Sequence, residues 1–182
     1  LQRGCKHILL GIGGSATNDA GVGMLQALGF RFLNKEGEEI CDGGSYLSQI
    51  TRVDGSQILP QLKTCIIEVA TDVKNPFYGE NGAACIFAPQ KGANQEQVQQ
   101  LDQGLRSFAQ LIQDEMGLDI QSVAGAGAAG GLGGGCVAFL NARLISGIDQ
   151  VKACVNFDSI IQDADLIITG EGKVDQQTSQ GK

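Results

Sequence analysis

The placement of glycine constrains this chain more than any other feature. The chain holds 27 glycines in 182 residues, roughly twice the usual share of about 7%. They follow no collagen or linker period and instead gather at a few points. Three of these points are loops, at 11–19, 125–135 and 169–178. The first and third each follow a short apolar run, 5–12 (CKHILLGI) and 164–169 (ADLIIT). Short apolar runs bounded by glycine read as buried strands. Glycine at a strand end permits a tight turn and close backbone approach.

Further elements fill the pattern. A helix is expected from Ser15, with Gly23, Met24, Leu25, Ala27 and Leu28 inward and Gly29 as its stop. Residues 30–40 (FRFLNKEGEEI) read as a hairpin turning at Lys35 to Gly37, and Ile50 to Val53 as a short strand. Residues 64–71 (TCIIEVAT) form a second clear strand. Residues 95–117 are the strongest helix. Val98, Leu101, Leu105, Phe108, Ile112 and Met116 repeat along one face. The second glycine loop opens onto Cys136 to Leu144, and 149–163 is again helical in pattern. Strands alternating with helices predict a layered α/β fold with a largely parallel sheet. Internal lobe boundaries are expected near 64–70 and 145–165.

Composition removes several classes. Hydrophobic residues are 42% and charged residues 18%, so a core can form and disorder is disfavoured. Aromatics are only 5% with no Trp, which leaves Leu, Ile, Val and Ala to build that core. The net charge of −7 and the lack of a basic stripe argue against a nucleic-acid partner. No apolar run reaches the roughly 18 residues that cross a bilayer, so no membrane partner is expected. The six cysteines form no CxxC pair. They read as buried thiols in a reducing cytoplasm rather than disulfides or zinc ligands. A single histidine, His7, removes most His-based catalysis.

The loops carry the candidate chemistry. In Gly11-Ile12-Gly13-Gly14-Ser15-Ala16-Thr17-Asn18-Asp19, free amides at a helix start would attract an anion. Ser15, Thr17 and Asn18 add short donors, although simple helix capping explains them equally well. Gly11-x-Gly13-x-x-Ala16 also fits a relaxed dinucleotide fingerprint, with Glu36 or Glu38 roughly 20 residues on. This keeps an NAD-dependent oxidoreductase as an alternative. The second loop has too many glycines for one turn, so a surface of backbone amides, with Gly127, Gly130 and Gly131, is expected. The third places Glu171, Lys173 and Asp175 beyond a strand end, where ligands of open α/β sheets bind. Asp72, beyond strand 64–71, could hold a metal ion or accept a hydroxyl proton. Lys91, in Pro89-Gln90-Lys91-Gly92-Ala93, could meet an anion. A non-catalytic α/β ligand-binding domain, with all its glycines structural, is the third reading.

Taken together, four segments resemble the bacterial-type glycerate kinase family (glycerate 2-kinase, type 1). They are GIGGSATNDAGVGMLQALGF (11–30), ATDVKNPFYGENGAACIFAPQKGA (70–93), AGAGAAGGLGGG (124–135) and ADLIITGEGKVDQQTSQGK (164–182), in the family's order. The resemblance implies ATP-dependent phosphorylation of a hydroxyl of D-glycerate with Mg²⁺, in the cleft of a two-domain α/β protein. Gly13, Gly14, Ser15, Ala16, Thr17, Asn18, Gly127, Gly130 and Gly131 would then hold phosphates or the glycerate carboxylate. Asp72 or Asp175 would take the hydroxyl proton, and the other, or Glu171, would meet Mg²⁺. Lys91 or Lys173 would offset charge on the transferred group. The family's amino-terminal Asp-Ser-Phe-Lys-Gly segment is missing, as is the region after Gly181-Lys182. Residues 1–182 are therefore expected to be a central part cut at both ends, with little activity alone.

Overall fold

Three parallel strands carry the architecture. The structure, a computed structural model, describes residues 1–168 and residue 170. β1 (His7–Gly11) pairs with β4 (Ile66–Ala70), and β4 pairs with β5 (Arg143–Ile145), giving the order β1-β4-β5. The register sets Gly11 beside Ala70 and Ala70 beside Ile145. All three strands thus end at one level, and their following loops share one rim. Leu10, Ile67, Val69 and Leu144 lie on one face and pack on the core. The opposite face leaves Leu9 and Ile66 about half exposed, at 48% and 56%.

The core sits between this sheet and α3 (Gln95–Met116). Asn94 and Gln97 form a capping box that starts the helix, and Gly117 ends it at φ 68°. Leu105, Phe108, Ala109 and Ile112 are buried along its inner face. Each such large side chain contributes about 1.5–3 kcal/mol relative to exposure. Phe32, Phe108 and Phe139 meet edge-on or stacked at 5.5–5.8 Å. Met116, expected on the buried stripe, is 48% exposed because it lies on the helix's final turn.

Several expectations are corrected. α1 covers Val22–Ala27 and does not begin at Ser15. The Asp19 carboxylate accepts amides of Gly21 and Gly23, so the helix is nucleated there and residues 12–18 stay an open loop. The dinucleotide fingerprint needs a tight strand–turn–helix, so this late start removes its context. The expected hairpin at 30–40 closes only through a bridge between Leu33 and Glu39. The ladder partner of β2 (Arg31–Leu33) is β3 (Arg52–Asp54), antiparallel. Gly133, Gly134 and Gly135 are helical, within α4 (Leu132–Leu140). The helical pattern at 149–163 splits at Asn156 (φ 53°) into α5 (Gly147–Cys154) and α6 (Phe157–Ile160). The short α2 (Ala83–Phe87) follows the Asn75-Pro76 turn. Residues 164–168 form no strand, and Leu166 and Ile168 are largely exposed. A strand needs a ladder partner, and among the described residues none pairs with this segment.

Candidate functional site

The common level of the three strand ends builds a cleft. The first glycine loop leaves β1, Thr71 to Val73 leave β4, and Ser146 leaves β5. A cavity of about 370 Å³ lies between Gly13 to Ser15, Thr71, Asp72, Lys91 and Ala128 to Ala129. A second, of about 380 Å³, lies against the same loop, walled by Leu10, Met24, Leu132, Thr17 and Asp19. Both are of ligand-binding size.

Among the described residues a Cβ on Gly11, Gly13 or Gly14 would meet nothing within 4 Å. The backbone there is open to whatever enters the cleft. Gly14 also takes φ 66°, which suits glycine. Lys91 reaches this loop from the turn after α2. Its Nζ donates to Ser15 Oγ at 2.9 Å and to the Thr17 carbonyl at 2.5 Å. Burial pushes the Lys91 ammonium below its ordinary pKa of 10.5, and the nearby Asp19 carboxylate partly opposes that.

Asp72 stands across the cleft. Its Oδ1 accepts the Gly147 amide at 2.9 Å, the Ser146 hydroxyl at 3.2 Å and the Ile148 amide at 3.4 Å. Asp72 therefore binds the end of β4 to the first turn of α5, where a helix favours negative charge. Among the described residues no donor meets its Oδ2. The carboxylate is thus held firmly by one oxygen with the other available.

The second glycine loop is placed differently. Gly127, Gly130 and Gly131 are buried. A methyl group on Gly127 would overlap the Pro76 carbonyl, and one on Gly130 the Thr17 carbonyl. The amides of Ala126, Gly127, Ala128 and Gly131 already donate to carbonyls of Val123, Asn75, Gly125 and Gly127. Only Ala128 and Ala129 of this loop line the cleft. Close packing explains its glycines more directly than a ligand does.

The structure thus brings Gly13, Gly14, Ser15, Asp72 and Lys91 into one cavity. Ala16 and Asn18 stand on the same loop but do not line it, and Thr17 lines the neighbouring one. Glu171, Lys173 and Asp175 lie outside the described residues. Three participants were not anticipated. Ser146 caps α5 and bonds Asp72, and its position three residues before Asp149 is a readable cap signal. Thr71 and Gln90 line the cleft, and nothing in their local sequence distinguishes them. His7 sits at the start of β1, at the end away from the cleft, with Nε2 2.6 Å from Glu68 Oε2.

A glycine loop, a lysine and an acidic residue thus meet at the carboxyl edge of a parallel sheet, where ligands of open α/β proteins bind. Comparison with known proteins is specific. The family model of the glycerate kinase family matches residues 1–182, and the chain belongs to that family. It is 50% identical over 182 residues to a glycerate kinase of Halalkalibacterium halodurans and 47% identical to the glycerate 2-kinase of Escherichia coli K12. In both cases all of this chain aligns with 48% of the relative. A crystal structure assigned to glycerate kinase 2 from Salmonella typhimurium LT2 superposes with a TM-score of 0.85 at 46% identity. That match covers 99% of this chain and 48% of the other. The chain therefore spans about half the length of the relatives it matches.

Proposed function

We propose that this chain forms part of a kinase that transfers the γ-phosphate of ATP to a hydroxyl of D-glycerate. The observation that carries the reading is the family match across 1–182, which coincides with a cleft able to receive a polyanion. The amides of residues 13–16 and the Ser15 hydroxyl bind phosphate oxygens or the glycerate carboxylate. Lys91 offsets negative charge on the transferring group, in a site where partial burial strengthens that attraction. Asp72 and Asp175 are the candidates to orient the acceptor hydroxyl and take its proton as its oxygen bonds phosphorus and the bond to ADP breaks.

Mg²⁺ fits the donor chemistry, since it favours one or two carboxylates together with substrate phosphates and water. Whichever of Asp72 and Asp175 does not take the proton, or Glu171, would hold it. When bound, the ion supplies charge neutralisation of the phosphates. The six free cysteines support a reducing, cytoplasmic setting. Among the described residues no helix is long and apolar enough to cross a membrane. A second lobe would complete the two-domain fold, with a boundary near 145–165, where α5 and α6 carry no buried residue.

The test uses a polypeptide of full family length carrying residues 1–182. Asp72→Asn and Asp175→Asn are each assayed for ATP-dependent phosphorylation of D-glycerate. Loss of the group that takes the proton should lower turnover on the order of 10²-fold or more. Turnover within about threefold of wild type for both variants would reject the assignment. Thermal melts separate that effect from any loosening of α5 in Asp72→Asn.

A further inference from the structure

Asp19 lies in the first glycine loop and has no part in the reaction outlined above. Its contacts are specific. Oδ1 accepts the Thr17 hydroxyl and the Gly21 amide at 3.0 Å, and Oδ2 accepts the Gly23 amide at 3.1 Å. One carboxylate thereby ties residue 17 to the start of α1. Thr17 links this knot to the cleft, because its carbonyl takes the Lys91 ammonium at 2.5 Å. Ser15 Oγ holds the same ammonium at 2.9 Å. Both oxygens that hold Lys91 thus belong to a loop pinned by Asp19. The Asn18 side-chain amide, next along the loop, is buried, and among the described residues neither of its polar atoms is bonded. The Asp19 contacts are the side-chain bonds that tie this loop to the start of α1.

We propose that Asp19 is a positioning residue for Lys91, fixing Thr17 so that the ammonium is aimed into the cleft. The inference rests on the phosphoryl-transfer reading. Among the described residues two carboxylates face this region, Asp19 beside Lys91 and Asp72 across the cavity. Of these, Asp19 is the one that favours the charged form of Lys91. Neutralising it leaves burial unopposed, so Lys91 gives up its proton at lower pH.

Asp19→Asn, in a polypeptide of full family length, keeps the size and removes the charge. Two readouts are needed. The first is the pH dependence of trinitrobenzenesulfonate labelling at Lys91, followed by mass spectrometry of its peptide, which is independent of activity. The second is kcat for glycerate phosphorylation across pH. The labelling midpoint should fall by about half a pH unit or more. The alkaline limb of kcat should move the same way, with turnover reduced about tenfold. An unmoved midpoint, or a moved midpoint with unchanged turnover, overturns the proposal. If Asp19→Asn does not fold, Thr17→Val keeps the carboxylate and cuts only the link. Its turnover should fall at least about fivefold, and unchanged turnover overturns the proposal. A wild type that does not phosphorylate glycerate would remove the kinase reading, and the labelling midpoint would still judge whether Asp19 acts on Lys91.

Discussion

At Gly13 an added methyl group would meet open space, whereas at Gly135 it would overlap the backbone carbonyl of Ala20. The two glycine-rich segments look alike in sequence and answer different physical demands. The first leaves β1 and keeps its backbone bare toward the cleft, so that a charged ligand can approach its amides. The second runs through the interior between the 17–21 segment, Asn75 to Phe77 and α3. There glycine is required because neighbouring backbone comes too close for any Cβ. Gly133, for instance, would place a Cβ 2.7 Å from the Gly125 carbonyl oxygen. Glycine number shows that something approaches closely, and only the surroundings show whether that is ligand or protein.

The strongest way to break this contrast is Gly135→Ala. Overpacking against fixed backbone should destabilise the protein by on the order of 3 kcal/mol or more. That corresponds to a melting temperature lower by roughly 6–12 °C. Gly13→Ala should change stability by less than about 0.5 kcal/mol. Its effect should appear in ligand binding, as a rise of about tenfold in the KM for ATP or glycerate. Equal losses of melting temperature in the two variants would show that the loops do not differ as described.

A smaller effect comes from pH. Lys91 has a folded pKa below 10.5 because burial disfavours its charge. If the ammonium serves the reaction, activity falls as pH rises through that depressed value. Lys91→Gln should lower turnover on the order of 10²-fold, and what remains should lack this alkaline limb. Stability runs the opposite way. Below the folded pKa the protein carries the cost of a half-buried charge. Between that value and 10.5 the unfolded chain binds more protons, so rising pH relieves the cost. An alkaline limb at the ordinary lysine value would mean that Lys91 is not the titrating group.

The mildest probe is thiol labelling. Cys136, buried in α4, has its thiol pushed up to about 11 by burial. Cys5, Cys41 and Cys154 are exposed, which corrects the expectation that the thiols are buried. A thiol reagent at neutral pH should modify those three quickly and Cys136 only on unfolding. Cys85, also shifted upward by burial, should react slowly. Rapid labelling of Cys136 in the native protein would show that the second glycine segment and its helix are not closed.

Sequence alone determined the α/β class, strands 1 and 4 and the 22-residue α3. Each rests on local periodicity, such as the stripe from Val98 to Met116, and local order survives being read one segment at a time. It also placed Asp72 and Lys91 at loop positions where chemistry is expected, since strand ends and their loops are visible locally. Tertiary structure alone decided which glycines face a cleft and which face protein. It decided that 164–168 makes no ladder among the described residues, and that Ser146 meets Asp72 from 74 residues away. Each of these depends on what packs beside the residue, and neighbours brought from far along the chain leave no mark in the segment itself.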